Sequence, residues 1–217
     1  MVDTVILLHG AGRSPRSMGR MATALARQGY RVHNLGYTSR RFPIETLAKQ
    51  IGEQISQLHL EAGAKIHFVT HSLGGVVLRC FLKAERPPNL GRVVMLAPPN
   101  QGAALADVFK RFRFYHWVLG PVAGQIGTRI GSLPKTLGSV NYEVGVIAGN
   151  RSLIPLFSPL IPGPDDGRVA VAETRLDGMA DFLVLPCIHT LIMNYSSVIY
   201  QTIHFLAYGS FDHPHDA

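Results

Sequence analysis

The sequence predicts an α/β protein: a three-layer sandwich with about six mostly parallel strands between layers of helix. Three observations lead there. Short β-rich apolar runs recur along nearly the whole chain, amphipathic helix-like stretches separate them, and Gly or Pro marks many of the junctions. Strands divided by helical crossovers mean βαβ units, which build parallel sheets covered on both faces. A chain of 217 residues, 47% hydrophobic and 16% charged, can bury one core, so residues 1–217 are read as a single domain.

The strands are expected at Thr4–Leu8, Tyr30–Leu35, Lys65–Val69, Arg92–Leu96, Glu143–Ala148 and Phe182–Leu185. Helices are expected at Pro15–Gln28, Pro43–Glu61, Val76–Glu85 and Thr190–Tyr208. Pro15 and Pro43 suit first-turn positions, while Gly29 and Gly63 suit helix ends. Two stretches break the alternation. Pro98–Ser139 is too long for a plain connection and carries Phe109, Phe112 and Trp117 among basic residues. Ser152–Asp166 is an apolar loop punctuated by prolines and contains Leu153 and Phe157. Long loops without repeats in a compact domain serve a function or are disordered, and these are too apolar for disorder. They read either as helices packed on the main core or as a cap or lid, an insertion over residues 103–140, and the two can hold together, with Phe112, Trp117, Leu153 and Phe157 as candidates for an acyl-chain pocket.

Composition narrows the function classes. Cys80 and Cys187 lie far apart inside apolar runs and read as buried free thiols in a reducing compartment. The apolar start of the chain is too short for a secretory or membrane-spanning segment, so a soluble cytoplasmic protein is expected. The net charge of +7 raises nucleic acid as a partner. The arginines are scattered, however, and no nucleic-acid-binding motif accompanies them, so a solvated basic surface, or attraction to an anionic membrane or substrate, is expected instead.

The chemistry begins at Lys65–Val77, KIHFVTHSLGGVV. A β-rich run leads into His71-Ser72-Leu73-Gly74-Gly75, and a helical pattern begins at Val76. That is the layout of a nucleophile elbow, which lifts a serine clear of the sheet and aims a helix N-terminus at developing negative charge. Acyl transfer through serine also needs a base, an acid to orient it and donors for the oxyanion. Ligands sit at the carboxyl ends of parallel strands, and His189 follows the last expected strand, which selects it among ten histidines as the base. For the acid, Asp166 is favoured over Asp165 because it directly precedes Gly167 and can turn inward with the chain. Backbone N–H groups of Ala11, in the Gly10–Gly12 turn, and of Leu73, next to the serine, are the oxyanion donors. His9 and His71 stand next to these groups as candidate pocket residues, His9 more as a brace for its loop than as a proton carrier.

Four blocks, LLHGAG at Leu7–Gly12, THSLGG at Thr70–Gly75, LAPPNQG at Leu96–Gly102 and DGRVAVAETRLDG at Asp166–Gly178, followed by His189, resemble an α/β-hydrolase of the small lipase type. The resemblance spans almost the entire chain. It implies a Ser72–Asp166–His189 triad with Ala11 and Leu73 as oxyanion donors, and a minimal version of the fold without two leading strands. Two departures stand out: Thr70 replaces the first elbow glycine, and the acid is doubled as Asp165-Asp166.

The expected function is a serine hydrolase of carboxylic esters, acyl-lipid-like, working through an acyl-enzyme without metal or cofactor. Thioesterase, amidase and acyltransferase share the acyl-serine and are alternatives within the same fold. A non-catalytic hydrolase-fold binding protein is the alternative from another class. A mobile lid would add activation at a lipid interface.

Overall fold

Strand β1 (Thr4–Leu8) is buried over its whole length, as expected of an inner parallel strand covered on both faces, where an uninterrupted apolar run replaces polar alternation. The computed structural model describes residues 1–113, 117, 119–152 and 158–213. In it, β1 is joined by β2 (Arg31–Leu35), β3 (Ile66–His71), β4 (Leu90–Leu96), β5 (Val144–Gly149) and β6 (Asp181–Leu185). All pairings are parallel, and the order is β2-β1-β3-β4-β5-β6. The chain therefore moves outward from β1 to β2, then crosses back to continue on the other side at β3. Such a reversal of strand order leaves a crevice at the carboxyl ends of β1 and β3, where ligands bind in open α/β sheets.

Each face of the sheet has its own core. Ile6, Leu8, Phe68, Val93, Met95, Val144 and Val146 pack against α2 (Ile44–Ser56) and α3 (Leu73–Ala84). Their neighbours Val5, Leu7, Val69, Val94 and Ile147 face the other way, toward α1 (Gly19–Arg27) and a C-terminal helix, Ser196–Tyr208. The alternation of strand side chains between faces makes three layers of one chain.

Several boundaries differ from the sequence reading. Helix α3 begins at Leu73 instead of Val76, taking in Gly74 and Gly75. Both glycines are crowded, Gly74 by backbone and Gly75 by side chains: a Cβ on Gly74 would lie 2.7 Å from Leu8 O, and one on Gly75 would lie 3.0 Å from Pro98 Cβ. Helix α2 ends at Ser56, and Gly63 belongs to the next turn. The stretch Thr190–Tyr208 divides into a 3₁₀ segment, His189–Asn194, and the long helix from Ser196. Pro15 opens another 3₁₀ segment, Pro15–Met18, ahead of α1. Cys80 and Cys187 are both free thiols, and burial pushes the Cys187 thiol up to about 11. Among the described residues no helix is long and apolar enough to cross a membrane.

Between β4 and β5 the chain around Ala103–Asp107 is bonded to the chain around Ile126–Thr128. Helix α4 (Ala104–Phe109) starts beside Ile126, whose carbonyl accepts the Ala103 amide at 2.9 Å. Gly102 (φ 86°) lies so close to Gly127 that any side chain would overlap its carbonyl. Asp107 completes this contact, accepting from the Thr128 amide and hydroxyl, each at 2.6 Å, and pairing with Lys110.

Candidate active site

Ser72 follows the last residue of β3 and caps α3, with φ 51° and ψ −120°. A non-glycine residue held there stores about 1–3 kcal/mol of backbone strain, which persists only where the surroundings over-determine the turn. Here Ser72 N–H donates to Leu96 O at 2.8 Å, and Gly75 N–H returns to Ser72 O at 2.9 Å. Gly10 makes room beside the turn: a Cβ there would fall 2.7 Å from His71 Nδ1 and 3.2 Å from Ser72 Cβ. Thr70, in the place of the first elbow glycine, is fully buried, and its hydroxyl stands 3.3 Å from where a Cβ on Gly75 would be. Gly75 therefore supplies the space that Thr70 takes up.

His189 is carried just past β6 on the first turn of the 3₁₀ segment and is 5% exposed. Its Nε2 lies 2.9 Å from Ser72 Oγ and its Nδ1 lies 2.7 Å from Asp166 Oδ2. A carboxylate can only accept, so Nδ1 carries the proton and Nε2 offers its lone pair to the serine hydroxyl. The loop of Asp166 is locked to that of the histidine, because His189 N–H donates to Asp166 O at 2.9 Å. Asp165 does not reach the histidine: its Oδ1 accepts from Gly167 N–H at 2.6 Å and Ser158 Oγ at 3.2 Å, bracing its own turn.

The remaining histidines divide by position. His71 Nε2–H donates to His189 O at 3.0 Å. Burial first, then the neighbouring His189, Arg13 and Arg168, lower its pKa well below the ordinary imidazole value, so it stays neutral. His9 is fully buried behind the Gly10–Gly12 turn, stacked on Tyr37 with ring centroids 4.3 Å apart. The Tyr37 hydroxyl donates to His9 O. His9 thus holds the loop from behind and lines neither cavity at Ser72.

A cavity of about 490 Å³ opens on Ser72 and His189. Ala11 and Leu73 line it near the serine, and Leu73 is the first residue of α3, where backbone N–H groups lack intrahelical partners. Beyond them the walls are apolar, formed by Pro99, Ala106, Phe109, Phe112, Ile126 and Val169. Phe112 is thus at the cavity, whereas Trp117 is 77% exposed and does not line it. Leu153 and Phe157 lie outside the described residues. Pro99 and Val169 sit in sequence blocks already prominent for their glycines and aspartates, and Ile126 had no signal, since only its contact with Ala103 brings it to the serine cavity. A smaller polar cavity of about 200 Å³ adjoins Ser72 and includes His71, Arg13, Arg40 and Arg168.

The chain resembles several solved hydrolases in fold. Lipase BlEst2 of Bacillus licheniformis in its mature form superposes with a TM-score of 0.68 at 17% identity, covering 95% of this chain and 91% of that one. Phospholipase PlaB of Legionella pneumophila gives 0.64 at 19%, covering 80% of this chain and 45% of that one. Lipase B of Aspergillus fumigatus gives 0.72 at 12%, covering all of this chain and 55% of that one. The chain thus spans about half the length of the latter two. No curated protein matches the sequence. A sequence profile described as "Alpha/beta hydrolase family" matches residues 5–200. With that match spanning most of the chain, and a parallel sheet carrying a serine turn after β3, the protein belongs to the alpha/beta hydrolase family.

Proposed function

We propose that the protein is a serine hydrolase of carboxylic esters with an acyl chain, using Ser72, His189 and Asp166 as a catalytic triad. The observation that carries this reading is the unbroken hydrogen-bonded run from Ser72 Oγ through His189 to Asp166 Oδ2, opening into a largely apolar cavity.

His189 Nε2 takes the hydroxyl proton as Ser72 Oγ bonds to the ester carbonyl carbon, and the carbonyl π electrons move to its oxygen. The Ala11 and Leu73 amides and the N-terminus of α3 meet that oxyanion, each donor worth roughly 3–4 kcal/mol at the transition state. Collapse of the tetrahedral species breaks the bond to the alcohol oxygen, which receives the proton from His189 and leaves. Water then gives a proton to His189, attacks the acyl-serine, and releases the carboxylic acid as the proton returns to Ser72. Asp166 keeps Nδ1 protonated throughout and stabilises the imidazolium.

The acyl chain goes into the cavity lined by Ala106, Phe109, Phe112 and Ile126, and these residues of the 103–140 stretch support its reading as a cap over the substrate. Trp117 at 77% exposure and Ile130 at 89% on the same insertion, with Arg111 and Arg113 nearby in sequence, suit an approach to an anionic lipid surface. Labelling by a fluorophosphonate probe, together with turnover of p-nitrophenyl esters, tests the reading. Both are lost in Ser72→Ala, and near-normal turnover by that variant overturns it.

A further inference from the structure

The polar cavity beside Ser72 has a composition that ester hydrolysis alone does not call for. Arg13, Arg40 and Arg168 stand around it, with Ser72, His189 and His71 also at its wall. Among the described residues none of the three arginines is ion-paired with a carboxylate. Asp166 is not paired with them either: it is buried, and its carboxylate is hydrogen-bonded to His189 and two backbone amides.

Arg13 is fixed by a hydrogen bond, whereas Arg40 and Arg168 are exposed side chains at the rim of the cavity. Arg13 Nη2–H donates to Thr190 O at 2.6 Å, tying the β1 loop to the residue after His189. The backbone of Arg40 is pressed by Gly120 (φ 67°), where any side chain would overlap the Arg40 carbonyl. Its guanidinium lies over Gly12, so near that a Cβ there would come within 3.0 Å of Nη2. Arg168 follows Gly167 in the acid loop and borders both cavities. Three cations from three separate loops thus converge on one small space next to the serine. Guanidinium forks match the oxygens of a phosphate.

The division between the cavities assigns the two ends of an ester. The acyl chain belongs with Ala106, Phe109 and Ile126. The alcohol oxygen must leave toward His189 Nε2, beside His71 and Thr190. We propose that the polar cavity binds a phosphate carried on the alcohol part of the substrate. The substrate class is then a carboxylic ester of a phosphorylated alcohol, cleaved to the free acid and that alcohol. The inference rests on the serine hydrolase reading above.

Two short-chain esters, hexanoyl glycerol and hexanoyl glycerol 3-phosphate, both kept monomeric in solution, test it by kcat/KM. The wild-type protein is expected to favour the phosphorylated ester by about tenfold or more, mainly through KM, with the advantage shrinking as salt rises. Arg40→Gln and Arg168→Gln are each expected to reduce that ratio, and the double variant to bring it near one. Circular dichroism and fluorophosphonate labelling check that the variants fold and keep the serine reactive. Equal kcat/KM for the two esters in the wild type, or a preference untouched in the double variant, overturns the inference. So does a preference seen only on anionic vesicles, which assigns the charge to a membrane surface. No turnover of either ester, with no labelling of Ser72, overturns the hydrolase reading and this inference together. Efficient turnover of the neutral ester without preference overturns this inference alone.

Discussion

Asp166 meets His189 through one carboxylate oxygen only. Oδ2 accepts the Nδ1 proton at 2.7 Å, while Oδ1 is held by the Arg168 and Val169 amides at 3.0 and 2.9 Å. The two amides leave the carboxylate no freedom to rotate, so the tautomer of His189 depends on which atom occupies the Oδ2 position.

Asp166→Asn therefore has a definite expected outcome. The two amides hold the carbonyl oxygen of the asparagine, which places its NH₂ against Nδ1. The histidine must then accept at Nδ1 and carry its proton on Nε2, where it cannot take one from Ser72. A loss in kcat of about 10³–10⁴-fold is expected, with the fold retained. Asp165→Asn removes only the charge of a turn brace, and its kcat should stay within about tenfold of wild type by the usual small effect of such changes. Steady-state kinetics on a p-nitrophenyl ester compares the two, and the reverse order of losses would reassign the acid.

The elbow yields a second pair of outcomes. Gly10→Ala drives a methyl to within 2.7 Å of His71 Nδ1 and 3.2 Å of Ser72 Cβ. Displacing the serine by a fraction of its bond length should cost about a hundredfold in kcat/KM. Thr70→Val acts in the other direction, since the Thr70 hydroxyl is buried and has no hydrogen-bond partner among the described residues. Exchanging it for a methyl leaves the shape and removes an unsatisfied polar group. The melting temperature is expected to be equal or higher, by up to about 2 kcal/mol of stability. A clear fall in melting temperature would mean that the hydroxyl has a partner.

These residues also show what a sequence can and cannot disclose. Strand β1 was legible at Thr4–Leu8 because burial on both faces leaves an unmixed apolar run. The start of α3 was not, because Gly74 and Gly75 read locally as a turn. Their reason is the approach of Leu8 O and Pro98, which lie far away in sequence. Ser72, His189 and Asp166 could be chosen because each lies beside a feature with a local signature: a strand run before it, or a glycine pair or single glycine after it. The strand order, and the meeting of Arg13, Arg40 and Arg168, depend on contacts between loops that no local pattern encodes.

The contact between Asp107 and Thr128 should respond to acid. Burial opposes the charge on Asp107, but hydrogen bonds from Lys110 and Thr128 outweigh it and hold the carboxyl at about 2. The folded value is depressed below the unfolded one of about 3.9, so the contribution to stability is present above that pH and is lost as pH falls toward 2. Asp107→Asn should lower the melting temperature at pH 7 and expose the segment between residues 110 and 127 to limited proteolysis. The gap between wild type and variant should hold near pH 5, narrow clearly by pH 3 and close only as pH approaches 2. A gap that stays constant over that range would show that the charge of Asp107 is not what ties α4 to Thr128.

Arg79 connects the elbow helix to the stretch from Pro134 to Gly138. It is 4% exposed on α3, and its Nη1 donates to Asn100 O and Oδ1 at 3.1 and 3.3 Å. Its Nη2 donates to Pro134 O and Gly138 O at 3.0 and 2.7 Å. A planar fork is required, because the carbonyls lie on separate segments and one ammonium cannot span them. Arg79→Met keeps much of the volume but strands buried carbonyls, at a cost of about 3 kcal/mol or more. For a chain of this size that lowers the melting temperature by roughly 5–10 °C. Arg79→Lys should restore only part of it, by keeping one side of the contact. Asn100 in turn donates to Thr174 O at 2.9 Å, just beyond the acid loop, so Arg79→Met should also weaken catalysis at temperatures well below its own unfolding. Thermal melts read beside kcat for both variants separate the two effects, and a lysine variant as stable as wild type would refute the need for the fork.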